Sequence, residues 1–331
     1  MRALVTGAAG FLGSHLVDAL LAGGHEAAGY DSQTYAASAW DHLRRLSVPV
    51  TRADVRDAPV LRRAVRAFLP DVVLHLAAES HVDVSLERPG HCFEVNACGT
   101  NVVALVCSEA RLPLVYCSTD EVYGDLAGTP QGATGALEGD PLRPSSPYSA
   151  GKAAGEMAVR AVVRSYGLRA AVTRGCNAFG ARQYPEKLLP IACRLAQRPG
   201  ARVPLHGGGG QVRQWVAAEE FVACLVLAAS DLLGRGGDGL RVWNIAGPRR
   251  LTVRDLVRAV ALQAGADLAA VAHDAPERPG QDRAYHVCGD AVAVGLGFRA
   301  VRRVDDLDEL AALLAAYPPD GEVRLAHVGP G

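Results

Sequence analysis

Seven residues near the start of the chain constrain its fold more than any others: Gly7-Ala-Ala-Gly10-Phe-Leu-Gly13. They follow an apolar run, Ala3 to Thr6, that reads as a buried strand. They lead into Phe11 to Ala22, which reads as a helix. Glycines at such a junction let the backbone turn sharply and approach a ligand. The helix N-terminus then offers unpaired N–H groups and a positive dipole end to phosphate. Three glycines in a tight turn also serve plain helix–strand packing, so the surroundings must decide. A second strand, Glu26 to Asp31, ends in a carboxylate 18 residues after Gly13. A carboxylate there binds ribose hydroxyls and repels a 2′-phosphate, which favours NAD over NADP. Gly7, Gly10, Phe11, Leu12, Gly13 and Asp31 are therefore the first cofactor-binding candidates. Asp54 reads either as a partner for the adenine amino group or as a surface turn acid.

The rest of the chain repeats the alternation. Val72 to Leu76, Pro113 to Ser118 and Arg169 to Thr173 read as strands, and about Tyr148 to Tyr166 reads as a helix. Alternating units of this kind predict an α/β fold, a doubly wound parallel (Rossmann-type) sheet covered on both faces. Ligands on such sheets sit at the carboxyl ends of the strands. The 331 residues leave room for a second, smaller substrate-binding α/β lobe. The expected division is 1–175 and about 212–246 for the NAD-binding domain, with about 176–211 and 247–331 for the other. Asp125 to Pro147 reads as a loop over the site. The glycines from Gly207 to Gly210 and the stretch Gly234 to Gly239 read as flexible connections, and Pro318 to Gly331 as a weakly structured tail.

Composition narrows the class. A net charge of −1 without a basic stripe gives no reason to expect nucleic acid as a partner. No apolar run approaches the roughly 20 residues that span a bilayer, so no membrane is expected. With a strand beginning at Arg2, no signal peptide is expected ahead of it, and a cytoplasmic setting follows. The eight cysteines form no CxxC pair and read as reduced thiols. The ten histidines lack zinc-site spacing, so no metal is expected. Of 34 Lys plus Arg, only Lys152 and Lys187 are lysine. In so arginine-biased a chain each lysine invites a reason, because an ammonium on a flexible stem differs from a guanidinium fork.

Lys152 lies four residues after Tyr148, on the same helix face. It can bind a nicotinamide ribose, and its charge, with that of oxidised nicotinamide, should lower the phenol's pKa. The phenolate can then deprotonate a sugar hydroxyl as hydride leaves. Ser118-Thr119-Asp120-Glu121 ends the Pro113 strand at a carboxyl end. Two adjacent acids there oppose each other's ionisation, so one can be protonated and one ionised in a single pocket.

At this point the residues resemble a known family. The Gly7 fingerprint, the run Leu76 to Asp83, the Thr119 to Gly124 segment and the Tyr148/Lys152 pair are similar to the extended short-chain dehydrogenase/reductases, and among them to the dTDP-glucose 4,6-dehydratases. The likeness continues through Arg174 to Asn177, Tyr184 to Pro190, Val212 to Trp215, Asn244 to Gly247 and Arg278 to Arg283. It implies tightly bound NAD that also touches Val55, Leu76, Ala77 and Ala78. It implies Tyr148 as the base at the sugar 4-hydroxyl, Glu121 as the base at carbon 5, Asp120 as the acid for the departing 6-hydroxyl and Thr119 on the 4-oxygen. For the nucleotide sugar it points to Ser80, His81, Asp83, Asn177, Lys187, Leu188, Arg213, Asn244, Arg278 and Tyr285. A homodimer is expected by resemblance, through the Tyr148 helix and a helix from Cys92 to Cys107.

The sequence departs from the family pattern at Val84, Ala178, Ala181, Arg182, Glu220 and Gln281. These changes bear on the nucleotide and the sugar more than on the chemistry. Two other readings stay open: a nucleotide-sugar 4-epimerase or uronate decarboxylase, which needs Tyr148 and Lys152 but no acid at Asp120, and a non-catalytic NAD-binding protein.

Overall fold

The computed structural model describes residues 1–37, 39–234 and 239–321. Most of the Gly234 to Gly239 connection and of the tail beyond Pro318 therefore lies outside the described residues. Seven parallel strands form the main sheet, in the order Gly239–Ile245, Arg169–Gly175, Leu114–Thr119, Val72–His75, Arg2–Thr6, Glu26–Asp31 and Val50–Arg52. The chain builds outward from the first strand in one direction, then returns to build in the other. That reversal opens a crevice at the strands' carboxyl ends, beside Thr6 and His75.

The strands are apolar on both sides because both faces are covered. One face packs Leu16, Val17, Leu20, Val222, Leu225 and Ala229 from helices Phe11–Ala22 and Ala218–Gly234. The other packs Leu61, Val65, Val103, Val106, Val159 and Val162. The expected Cys92 to Cys107 helix runs instead from Pro89 to Glu109, with a wider π-helical turn at Glu94–Gly99. A separate core, with Leu189, Cys193, Leu256, Val260, Leu310 and Leu313, underlies the smaller lobe. Its sheet centres on Val212–Ala217, which pairs with Arg249–Thr252, Ala284–Tyr285 and Asn177–Phe179. Val292, Phe298 and Ala300 return to the core of the main sheet.

Among the described residues no helix is long and apolar enough to cross a membrane. The glycines at 207, 208 and 209 all have positive φ. The last two pack on Arg254, whose Nε donates to the carbonyl of Gly208, so this turn is braced rather than loose.

Candidate active site

The crevice is a cleft of about 430 Å³, and it gathers residues from both lobes. Gly7 takes φ +71° there, and a Cβ on it would lie 2.6 Å from the Ala77 nitrogen. A Cβ on Gly13 would lie 2.0 Å from the Gly7 carbonyl oxygen. Both positions therefore exclude side chains, and the helix that opens at Phe11 points its free N–H groups at the cleft. Asp31 borders the same space. One carboxylate oxygen accepts from the Ala9 amide at 2.9 Å and the other from the Gln33 amide at 2.8 Å. Burial raises its pKa, and those two amides pull the other way. A glycine cradle beside a carboxylate that is oriented by backbone donors fits a dinucleotide with free ribose hydroxyls. Gly10, Phe11, Leu12, Asp54, Val55, Leu76, Ala77 and Ala78 line the cleft as well. The Asp54 carboxylate is gripped by Arg56 through its backbone amide, Nε and Nη2, which lowers its pKa.

The Tyr148 helix spans Pro147–Tyr166. Its start is set by a reciprocal cap: the Ser146 hydroxyl accepts from the Ser149 amide, the Ser149 hydroxyl accepts from the Ser146 amide, and Pro147 occupies the first turn. Tyr148 and Lys152 both reach the cleft. Lys152 Nζ donates to the Cys117 carbonyl at 2.5 Å and lies 4.4 Å from the Tyr116 ring centre. Burial brings this ammonium down to about 8. Burial and the negative charge of Glu121 push the Tyr148 phenol well up, and a hydrogen bond with Thr119 offsets them in part. The Lys152 ammonium is turned toward a strand carbonyl.

Thr119 ends its strand, and Asp120–Tyr123 form a 3₁₀ turn capped by the Thr119 hydroxyl. Asp120 is buried, and one of its carboxyl oxygens has no hydrogen-bond partner among the described residues. Burial first and Glu121 second drive its pKa well above the ordinary carboxylate value. Burial also raises Glu121, to about 7, while Arg213 and Lys187 pull it down. Burial thus shifts both acids toward their neutral forms, and Glu121 ionises near neutrality. If Glu121 acts as a base, the elimination rate should climb as pH rises through about 7 and fall with its protonation below that value. A pH–rate profile of product formation checks this. A flat profile across neutrality would remove Glu121 from that role.

On the substrate side, Ser80, Asn177, Lys187 and Leu188 line the cleft. Lys187 Nζ donates to the Ser80 carbonyl at 2.8 Å. Arg213 stacks on the Tyr285 ring at 3.7 Å and donates to the Asp282 carbonyl. Arg278 pairs with the buried Asp83 at 3.3 Å. His81 is pushed to about 3 by burial and accepts from the Val84 amide at 3.4 Å. Asn244 lies in the strand Gly239–Ile245. It is fully buried, its amide nitrogen donates to the Ala136 carbonyl, and its amide oxygen accepts from the Tyr123 hydroxyl. One amide hydrogen and the amide oxygen are thus engaged within the protein, and the bond to Ala136 braces the loop over the site.

A model of the NAD dependent epimerase/dehydratase family matches residues 3–246. The chain belongs to the NAD-dependent epimerase/dehydratase family. A dTDP-glucose 4,6-dehydratase of Streptomyces griseus is 40% identical over 95% of this chain and 93% of its own length. Among solved structures, DesIV, a dTDP-glucose 4,6-dehydratase from Streptomyces venezuelae crystallised with NAD, superimposes with a TM-score of 0.84 at 35% identity. That match covers 96% of this chain and 97% of DesIV. A UDP-glucose 4-epimerase from Thermus thermophilus in complex with NAD reaches 0.85 at 31% identity, covering 96% and 99%.

Within this epimerase/dehydratase chain the departures from pattern fall in unlike places. Ala178 lines the cleft. Gln281 accepts from the Arg278 amide and so braces the turn that carries that arginine. Glu220 accepts from the amides of Val301 and Arg302. The Ala181 carbonyl bonds His15, and Arg182 pairs with Asp18. Tyr184 and Glu186 also line the cleft, and sequence reasoning did not single them out. Their place in a run between two recognised positions was the available signal.

Proposed function

We propose that this chain is an NAD-dependent nucleotide-sugar 4,6-dehydratase that converts dTDP-glucose to its 4-keto-6-deoxy form. The observation that carries the reading is one cleft holding Tyr148 and Lys152 together with two adjacent carboxyl groups, Asp120 and Glu121, whose pKa values burial raises. Gly7, Gly10, Gly13, Asp31 and Lys152 would hold the cofactor. NAD held there would supply the two-electron acceptor for oxidation at carbon 4 and the reductant for carbon 6.

Tyr148 takes the proton of the 4-hydroxyl, and Thr119 holds the resulting oxygen. The new carbonyl acidifies carbon 5, whose proton passes to Glu121. Asp120 protonates the departing 6-hydroxyl, and water leaves. Glu121 then gives a proton back to carbon 5, and the proton taken by the Tyr148 phenolate passes on to Asp120, which restores both groups and leaves loss of one water as the sum of the cycle. Arg213, Arg278 and Lys187 supply positive charge for the diphosphate, and a guanidinium fork suits its oxygens. Epimerases share the oxidation step but need no acid at Asp120.

Incubation with dTDP-glucose tests the reading directly. A 4-keto-6-deoxy product supports it. A galactose epimer or released carbon dioxide overturns it, and bound NAD without turnover points to a non-catalytic protein. The eight free cysteines suit a reducing cytoplasm. Phe93 and Met157 are nearly half exposed on the two helices expected to pair, which supports a homodimer. A sedimenting mass of a single chain would rule that out.

A further inference from the structure

A buried ion pair that the proposed chemistry does not use bonds to the residues on either side of the segment that carries the two carboxyl groups. Glu156 sits one helical turn beyond Lys152 and two beyond Tyr148, on the same helix face. Arg174 sits opposite Ser118 in the register of neighbouring parallel strands. Both side chains are 2% exposed. Arg174 donates through Nε at 3.1 Å and through Nη2 at 2.6 Å to Glu156. The pair reaches both ends of the Thr119–Asp120–Glu121 segment. Ser118 Oγ donates to Glu156 at 2.5 Å on one side. Arg174 Nη1 donates to the Tyr123 hydroxyl at 2.7 Å on the other, and that hydroxyl donates to Asn244 at 2.8 Å. The same Nη1 donates to the Glu138 carbonyl at 3.0 Å.

An ion pair this deep gains little stability over apolar packing of the same volume, because two charges must be desolvated. Its geometry offers a different gain. The helix that carries Tyr148 and Lys152 is tied by one carboxylate to the residue before Thr119, and by one guanidinium to the residue that closes the turn after Glu121. We infer that Glu156 and Arg174 are positioning residues, which hold the acid and base of elimination in register with the tyrosine of oxidation. The inference rests on the dehydratase reading above.

The test uses Tyr123→Phe and Ser118→Ala, each of which removes one hydroxyl and leaves the ion pair in place. With dTDP-glucose, product formation should fall roughly tenfold in each, since misplacement of about 1 Å can cost up to ~100-fold. Oxidation at carbon 4 should persist, so reduced nicotinamide should accumulate during turnover, with KM little changed. A purely structural role would lower the melting temperature without changing the ratio of the two steps. Wild-type turnover in both variants, or equal loss of both steps without accumulation, overturns the inference. If one variant does not fold, the other decides. A wild-type protein that forms no 4-keto-6-deoxy product overturns the function itself, whereas a normal wild type beside unaltered variants overturns only the positioning.

Discussion

Asp120→Asn should slow loss of water by roughly 100-fold or more, the usual scale for removing a general acid. The amide keeps the carboxyl's size but cannot hand a proton to a departing hydroxyl. The expectation rests on the environment of this side chain. Asp120 is buried beside a second carboxyl, with one oxygen unpartnered, and both facts favour its neutral form. Oxidation at carbon 4 uses Tyr148 and Lys152 and should survive. Mixing the variant with substrate should therefore show reduced nicotinamide appearing at close to the normal rate and persisting while product forms slowly. Product release at the wild-type rate would take Asp120 out of the mechanism.

Tyr148→Phe should have the opposite signature. Without the hydroxyl no group accepts the 4-hydroxyl proton, and product formation should drop by about 10²- to 10⁴-fold. No reduced nicotinamide should accumulate, because the block precedes hydride loss. Lys152 would still donate to the Cys117 carbonyl, so the cleft should keep its shape. The phenol stands well above neutral range in the protein alone, with Glu121 among the causes. A cationic ring placed beside it would act in the opposite sense. Accumulation of the reduced cofactor in this variant would overturn the assignment of Tyr148 as the first base.

Much of the site was legible because its signals are local. The glycine fingerprint, Asp31, the Asp120–Glu121 pair and the Tyr148–Lys152 spacing each lie within a single turn, strand end or helix face. Asn244 shows where that stops. Its run matched a substrate-binding pattern, yet its amide nitrogen donates to Ala136 of the 125–147 loop and its amide oxygen accepts from Tyr123 of the preceding turn. A local run of residues does not say what packs over a strand end, and Asn244 lies in the strand Gly239–Ile245. The Tyr148 phenol is a second case. Helical spacing placed Lys152 beside it, but only the packed strand supplied the carbonyl that takes the ammonium.

The chain's own pattern of apolar runs and glycine turns determined a doubly wound sheet, the crevice at its strand ends and the residue types that would do chemistry there. These follow from backbone geometry and from periods of two and 3.6 residues, which are properties of short segments. The tertiary structure alone decided which groups share a low-dielectric space and how each titrates. Parallel strands place Ser118 against Arg174, and the helix face then delivers Glu156 to both. Desolvation depends on everything packed around a group. The raised pKa values of Asp120 and Glu121 therefore arise only when the fold closes over them.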